Sequence, residues 1–191
     1  NLKARLAYST ISQLSYIVLG ALLANEWGII GGGMHIAMHA FGKITLFFAA
    51  GAVMVAAHEK KISRMHGLGR TMPITFGAFF VGSLSIIGLP PAGGSWSKWF
   101  LAMGTLEAGQ VGLLMVLMLS SLLGLYYLLE VPVKAFFFKP LEDAHHREGI
   151  HEAPTASLIA IIITAIMTVG LFVRPDLAFN LMAMVIPGGV Q

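Results

Sequence analysis

The stretch that decides the fold is the third apolar segment, residues 73–105, which reads PITFGAFFVGSLSIIGLPPAGGSWSKWFLAMGT. Two prolines and two glycines, Pro90, Pro91, Gly93 and Gly94, interrupt it near the middle. At about 1.5 Å per residue the segment is too long for one straight helix across a membrane, so we predict a discontinuous helix that breaks at these residues. Non-helical backbone at membrane depth is tolerated only where it is buried in protein or lines a wet cavity, and such breaks are typical of ion sites.

The composition around this segment indicates a membrane protein. Of the 191 residues, 57% are hydrophobic and 11% are charged, whereas roughly 25% are charged in an ordinary soluble domain. These values exclude a disordered chain, a coiled coil and a typical soluble enzyme. We predict an all-α integral membrane protein with about five transmembrane helices. The sequence contains no cysteine, which excludes disulfide bonds, thiolate zinc sites and a cysteine nucleophile.

The other apolar runs complete a single membrane domain over residues 1–191. We interpret Gly31-Gly32-Gly33 as a loop and residues 132–155 as a long polar loop. A short apolar tail cannot cross the bilayer and is expected to lie at its interface. The other crossing helices are predicted at residues 6–24, 31–57, 111–131 and 156–173, and the tail at residues 177–186.

The distribution of charge indicates how often the third segment crosses. If it crosses once, nine basic residues lie on one side together with the 58–72 and 132–155 loops, and Arg174 lies on the other. Two crossings would remove most of this bias, so the positive-inside rule favours one crossing and a cytoplasmic position for both loops, at the inner membrane. The basic residues lie in short loops and not on one patch, so we predict no nucleic-acid partner. The nine are Lys3, Arg5, Lys60, Lys61, Arg64, Arg70, Lys134, Lys139 and Arg147.

Lys98 lies inside the third segment, four residues after Gly94. A charged lysine near the bilayer centre costs roughly 3 kcal/mol and normally faces a cavity or a partner. Burial disfavours the ammonium form, so such a lysine can release and take up a proton, which arginine cannot do. The alternative is a snorkelling lysine whose amine reaches the headgroups beside Trp96 and Trp99.

The second apolar run contains His35, His39 and Lys43, spaced four residues apart. On a helix they share one face and rise by about 6 Å per step, which makes a plausible proton relay. His-x-x-x-His is also a metal-ligand spacing, but no glutamate stands between the histidines and a cation four residues further on repels a metal. Histidines that only satisfy hydrogen bonds in the protein interior are the third interpretation.

Three motifs resemble the antiporter-like subunits of respiratory complex I and of the multisubunit Mrp-type cation/proton antiporters. They occur in the order and at the spacing of that family, over positions 2 to 98. The motifs are Leu2-Lys3-x-x-Leu6-Ala7-Tyr8-Ser9-Thr10-Ile11-Ser12-Gln13, His35-x-x-x-His39-Ala40-Phe41-x-Lys43-x-x-Leu46-Phe47 and Gly88-Leu89-Pro90-Pro91-x-x-Gly94-x-x-Ser97-Lys98.

The resemblance implies that this chain is the C-terminal half of such a subunit and holds most of the second of two inverted repeats, each with a broken helix. It makes Lys98 the terminal proton-exchange lysine of the second half-channel and places His35, His39 and Lys43 on the central hydrophilic axis. Lys3 would line the path at a helix end. The supporting polar path would consist of Ser9, Thr10, Ser12 and Ser97.

The sequence also departs from the family pattern. Asn1 stands where aspartate is frequent, and some relatives have glutamate at the position of Lys98. The segment Trp96-Ser97-Lys98-Trp99 is more similar to the Mrp-type antiporter subunits than to the respiratory subunits. The first repeat is absent, so an N-terminal half, from the same gene product or a separate chain, must supply the rest of the pathway.

The function that we expect is proton or cation/proton translocation as one part of a multisubunit Mrp-type antiporter. The alternative is a proton-pumping subunit of a complex I-type NADH:quinone oxidoreductase or a related hydrogenase complex. We predict no cofactor and no metal, so any redox chemistry would lie in other subunits. The expected partners are other membrane subunits and lipid.

Two further classes of function stay open. In a structural scaffold, Lys98 and His39 would be paired and dry. In a metal transporter, His35 and His39 would be ligands.

Overall fold

The computed structural model of the protein describes residues 1–140 and 149–186. This part of the chain is all-α, as predicted. Four helices, α1, α2, α6 and α7, are each long and apolar enough to cross a membrane within the described residues, and α4 is a shorter apolar helix. The elements are α1 (Leu2–Leu23), α2 (Glu26–Ala56), a 3-10 turn (Ile62–Arg64), α3 (Leu68–Thr71), α4 (Pro73–Ile87), α5 (Gly94–Glu107), α6 (Val111–Phe137), α7 (Thr155–Val173) and α8 (Asp176–Ala183).

The start of α2 corrects one prediction, because Gly31-Gly32-Gly33 is helical and not a loop. The helix begins at Glu26, where the Asn25 side chain accepts a hydrogen bond from the amide of Gly28 at 2.8 Å. A Cβ atom on Gly31 would lie 2.6 Å from the Leu101 amide nitrogen of α5. These glycines therefore allow close packing between helices. A run of glycines in a sequence is equally typical of a loop, which is why the prediction was wrong.

The third segment breaks as predicted, between α4 and α5. Gly88 ends α4 in the left-handed conformation with φ 92°, which favours glycine. Gly94 begins α5, and its amide donates to the Ser85 hydroxyl at 3.3 Å. Pro90 and Pro91 lie exposed on the surface of this chain, whereas Ala92, Gly93 and Gly94 are buried.

Contacts at the two ends of the bundle confirm that the third segment runs through it once. At one end, Glu152 accepts hydrogen bonds from the amides of Ile74 and Thr75 at 2.6 and 3.3 Å, which caps the start of α4. At the other end, the Asn25 side chain donates to the Gly104 carbonyl in α5 at 2.7 Å. The chain therefore passes from one end to the other between these residues.

The fourth run is longer than predicted, because α6 continues through Pro132 to Phe137. The predicted 132–155 loop is therefore shortened at its start, and residues 141–148, including Arg147, lie outside the described residues. The short tail forms α8, and its Ala178 packs in an apolar cluster with Ile30, Met34 and Met38 of α2. Its position relative to a membrane stays a prediction.

Candidate functional site

Four basic side chains lie buried inside the bundle in the part of the chain that the structure describes. His35, His39 and Lys43 share one face of α2, as their spacing predicts, and Lys98 lies near the start of α5. Lys98 is 6% exposed and Lys43 is 5% exposed. Buried ionisable groups are expensive and indicate a functional site when they lie in membrane-spanning helices.

The Lys98 amine is held at the C-terminal end of α4. It donates to the Ile87 carbonyl at 2.9 Å and to the Ser121 hydroxyl of α6, also at 2.9 Å. The last carbonyls of a helix have no partner within the helix and carry partial negative charge, so this end of α4 favours a cation. Gly88 makes the approach possible, because a Cβ there would lie 2.6 Å from the Lys98 Cδ. The amine turns into the protein, which argues against the snorkelling alternative.

His35 lies beside the same turn of α5. Its Nδ1 is 2.8 Å from the Ser97 hydroxyl oxygen, and that hydroxyl lies 3.0 Å from the Gly94 carbonyl. If the hydroxyl donates to the carbonyl, its oxygen accepts from Nδ1–H of His35, so we assign this tautomer from the hydrogen-bond network. The Nε2 of His35 is then a bare acceptor, and it is buried without a hydrogen-bond partner among the described residues.

The α2 line continues from His35 to His39 and Lys43. The two imidazole rings are stacked with centroids 5.9 Å apart. His39 Nε2 is also buried without a partner in the described part of the chain. The Lys43 amine donates to the Leu6 carbonyl at 3.0 Å and makes a short hydrogen bond to the Ser9 hydroxyl, both in α1. The arrangement puts three titratable groups in sequence, with Lys43 anchored on α1.

Tyr16 of α1 contacts both Lys98 and His35, and the sequence analysis did not identify it. The Lys98 Nζ lies 4.8 Å from the centroid of the Tyr16 ring. The Tyr16 and His35 rings meet edge to face with centroids 5.5 Å apart. The available signal was spacing, because Ser9, Gln13 and Tyr16 recur at the interval of one helical face and are all buried.

The remaining predicted residues lie away from this line or at its edge. Lys3 is exposed at the start of α1, where the Leu2 amide donates to the Lys60 carbonyl. Thr10 is half-buried and donates to the Leu6 carbonyl at 3.0 Å, and Ser12 is also half-buried. Of the predicted supporting hydroxyls, Ser9 and Ser97 therefore contact the titratable groups directly.

A charged cluster at the end of α6 was also missed. Glu130 pairs with Arg5 of α1 at 2.5 Å and with Lys134 one turn further along at 2.6 Å. Its signal was an acidic residue near the end of an apolar run, followed by lysine at the favourable i, i+4 spacing. The three side chains are a quarter to a third exposed, so the cluster lies at the rim of the bundle.

The metal interpretation gains no further ligands from the fold. Across residues 1–140 and 149–186, no three His, Asp or Glu side chains come together as a metal site would need. His35 and His39 stack side by side, and Lys43 follows on the same face.

Comparison with known proteins finds one family model, described as the transmembrane region of NADH:quinone oxidoreductase and Mrp antiporter subunits, which matches residues 1–124. The NADH-quinone oxidoreductase subunit N of Desulforudis audaxviator is 37% identical over 179 residues, covering 87% of this chain and 36% of the relative. The subunit L of Pseudomonas aeruginosa is 34% identical over 180 residues, covering 93% and 28%. This chain thus spans about a third of the length of these curated relatives.

Two solved structures are similar in fold. A chain of the Mrp complex from a Dietzia species superposes with a TM-score of 0.82 at 25% identity, covering 93% of this chain and 40% of that one. A chain of the membrane-bound sulfane sulfur reductase, an archaeal respiratory membrane complex, superposes with a TM-score of 0.81 at 29% identity, covering 96% and 31%.

Proposed function

Because this chain belongs to the NADH:quinone oxidoreductase/Mrp antiporter transmembrane family, we propose that it carries out proton or cation/proton translocation through one half-channel of a multisubunit Mrp-type antiporter. The observation that carries the proposal is the set of four buried basic side chains in apolar helices of the described chain. Lys98 lies beside the helix break, and His35, His39 and Lys43 lie in line on α2.

In the proposed mechanism, Lys98 is the exchanging group. Its amine alternates between the ammonium and neutral forms, which a lysine in low dielectric can do and an arginine cannot. Ser97 fixes the orientation of His35, whose free Nε2 can accept a proton. His39 and Lys43 continue the line, and Ser9 positions the Lys43 amine. Lys3, at the exposed start of α1, would act only at the mouth of this path.

Electrostatic interaction would couple the groups. At low dielectric, adding a proton to one group raises the cost of a positive charge on its neighbour. His35 and Lys98 both contact the Tyr16 ring, and the His35 ring stacks on that of His39 with centroids 5.9 Å apart. Lys43 follows His39 one turn further along α2. A proton that leaves Lys98 therefore makes the α2 line a better acceptor.

To test the proposal, we would reconstitute the complete complex in vesicles and measure driven proton translocation. Lys98→Ala should lower it about 100-fold, the scale of a lost proton-transfer group. Lys98→Arg should be equally inactive, because arginine keeps the charge but does not exchange the proton. Lys61→Ala, an exposed lysine, serves as the control. Unchanged translocation in an assembled Lys98→Ala complex would refute the proposal.

The second candidate is a proton-pumping subunit of a complex I-type oxidoreductase or a related complex. It is favoured by the names of the curated relatives, which are NADH-quinone oxidoreductase subunits. The two candidates differ in what drives them. Translocation that needs a sodium gradient supports the antiporter, whereas translocation that needs oxidation of an electron donor supports the redox-driven complex.

The rest of the pathway would come from other polypeptide. We propose that this chain supplies most of the second repeat, and that an N-terminal half and other membrane subunits complete it in the inner (cytoplasmic) membrane. The loops at residues 58–72 and 132–155 would face the cytoplasm. The chain has no cysteine, so Ser63→Cys should react with an impermeant thiol reagent only from that side, and Ala108→Cys only from the other.

A further inference from the structure

The Tyr16 ring is the contact that Lys98 and His35 have in common. The Lys98 amine lies over this ring and the His35 ring packs against it. Tyr16 is itself fixed, because its hydroxyl donates to the Ser120 hydroxyl of α6 at 2.6 Å. Ser120 is the neighbour of Ser121, which accepts from Lys98.

Lys98 and His35 make their hydrogen bonds in other directions. The amine bonds to Ile87 at the end of α4 and to Ser121 on α6. The Nδ1 of His35 is used by Ser97. The two groups that should exchange a proton are thus neighbours of one aromatic ring without being bonded to each other.

Polar atoms without a hydrogen-bond partner occur in the described parts of α1 and α2, the two helices that carry Tyr16 and His35. His35 Nε2, His39 Nε2 and Gln13 Oε1 are all buried without a hydrogen bond among the described residues. Gln13 lies one turn before Tyr16 on the buried face of α1. Buried polar atoms are nearly always bonded to protein or to water, so each of these atoms is available as a hydrogen-bond acceptor.

We propose that Tyr16 is a positioning residue that controls proton transfer between Lys98 and His35. The hydrogen bond from its hydroxyl to Ser120 holds the ring in place. While Ser120 holds the ring, the amine stays with Ile87 and Ser121. When the ring turns, the Lys98 ammonium reaches His35 Nε2 directly or through one water. The proton then passes to the imidazole and leaves a neutral amine and an imidazolium. This inference rests on the proposed function.

The test measures two quantities in vesicles that contain the assembled complex: driven translocation, and passive proton leak without a driving force. Tyr16→Phe and Ser120→Ala each remove the hydrogen bond between residues 16 and 120 and keep an aromatic ring at position 16. Both should raise the leak about fivefold, the population change expected from the loss of one hydrogen bond, and lower driven translocation. Tyr16→Ala removes the ring and should leak more than either.

Matched controls use the same chemical changes elsewhere. Tyr126→Phe alters an exposed ring on α6, and Ser15→Ala an exposed hydroxyl on α1, so both should behave as wild type. The double variant Lys98→Ala with Tyr16→Phe should lose the extra leak, because the leaking proton uses the amine. A leak that persists without Lys98 would overturn the proposal.

The outcomes separate this inference from the function on which it rests. If Lys98→Ala leaves translocation intact, the proposed function fails. If Lys98→Ala abolishes translocation but Tyr16→Phe and Ser120→Ala leave the leak at the wild-type level, the proposed function stands and only the proposed role of Tyr16 is wrong. Reduced driven translocation without added leak also contradicts it, because simple damage to packing would have that effect.

Discussion

The two buried lysines, Lys43 and Lys98, are equally buried and have chemically similar hydrogen-bond partners. They differ in the helices to which those partners belong. Lys43 and Lys98 each donate to one backbone carbonyl and one serine hydroxyl. Both partners of Lys43 belong to α1. The partners of Lys98 belong to α4 and α6, and the Tyr16 ring comes from α1.

The difference shows what the helix break contributes. The Leu6 carbonyl lies within an intact helix and also accepts from the Ser9 and Thr10 hydroxyls. The Ile87 carbonyl lies at the end of α4 and therefore accepts no hydrogen bond from an amide of the same helix. Relative motion of α4, α5 and α6 would change the surroundings of Lys98, whereas Lys43 would keep both partners as long as α1 and α2 stay together.

The largest effect is expected from a change that destroys the Lys98 site and leaves the Lys43 site intact. In Gly94→Ala the new Cβ would overlap the Ser85 carbonyl oxygen, which must separate α4 from α5. We expect a loss of about 3 kcal/mol in the free energy of unfolding in detergent, the scale of overpacking, and no translocation. Gly77→Ala, in α4 with open space around it, is the matched control. Equal unfolding curves for the two variants would contradict this account of the break.

A narrower change displaces the lysine without disturbing the interhelical contact. Gly88 and Gly109 both have positive φ, 92° and 66°, so alanine at either should cost about 1 kcal/mol of stability. Only at Gly88 would the added methyl group meet the Lys98 side chain. We therefore expect similar unfolding transitions but lower translocation for Gly88→Ala alone. Equal translocation in the two variants would show that the path of the side chain over Gly88 is unimportant.

Each lysine can also be deprived of its serine hydroxyl partner. Ser121→Ala takes away one of two acceptors from Lys98 and should reduce translocation about fivefold, as for the loss of one hydrogen bond. Ser9→Ala should have a smaller effect, because it also stops the Ser9 hydroxyl from competing for the Leu6 carbonyl. Initial rates in vesicles measure both, and a larger effect of Ser9→Ala would reverse the ranking of the two lysines.

The smallest effect is expected at the rim. Glu130→Gln removes both ion pairs of the cluster, but these side chains are partly exposed, so the loss should be about 0.5–1 kcal/mol of stability. Lys43 and Lys98 keep all their hydrogen bonds, and translocation should stay near the wild-type rate. Glu59→Gln, which breaks the more exposed pair with Arg64, is the control. A loss of translocation with normal stability would make Glu130 part of the path.

The sequence predicted the features that depend on local pattern. Prolines and glycines predicted the break, the distribution of charge predicted one passage of the third segment, and the four-residue spacing predicted the common face of His35, His39 and Lys43. The features that it missed depend on contacts between distant segments. Tyr16, Ser121 and Glu130 gain their importance from neighbours on other helices, and Gly31 from the approach of α5.

The two ends of α4 carry different attachments. In its first turn, the Ile74 amide donates a hydrogen bond to Glu152, which belongs to the connection between α6 and α7. In its last turn, the Ile87 carbonyl accepts a hydrogen bond from the Lys98 amine. A 15-residue helix is stiff along its axis and extends over roughly 22 Å. A displacement of Glu152 along the axis of α4 would therefore also displace the carbonyl oxygen to which Lys98 donates.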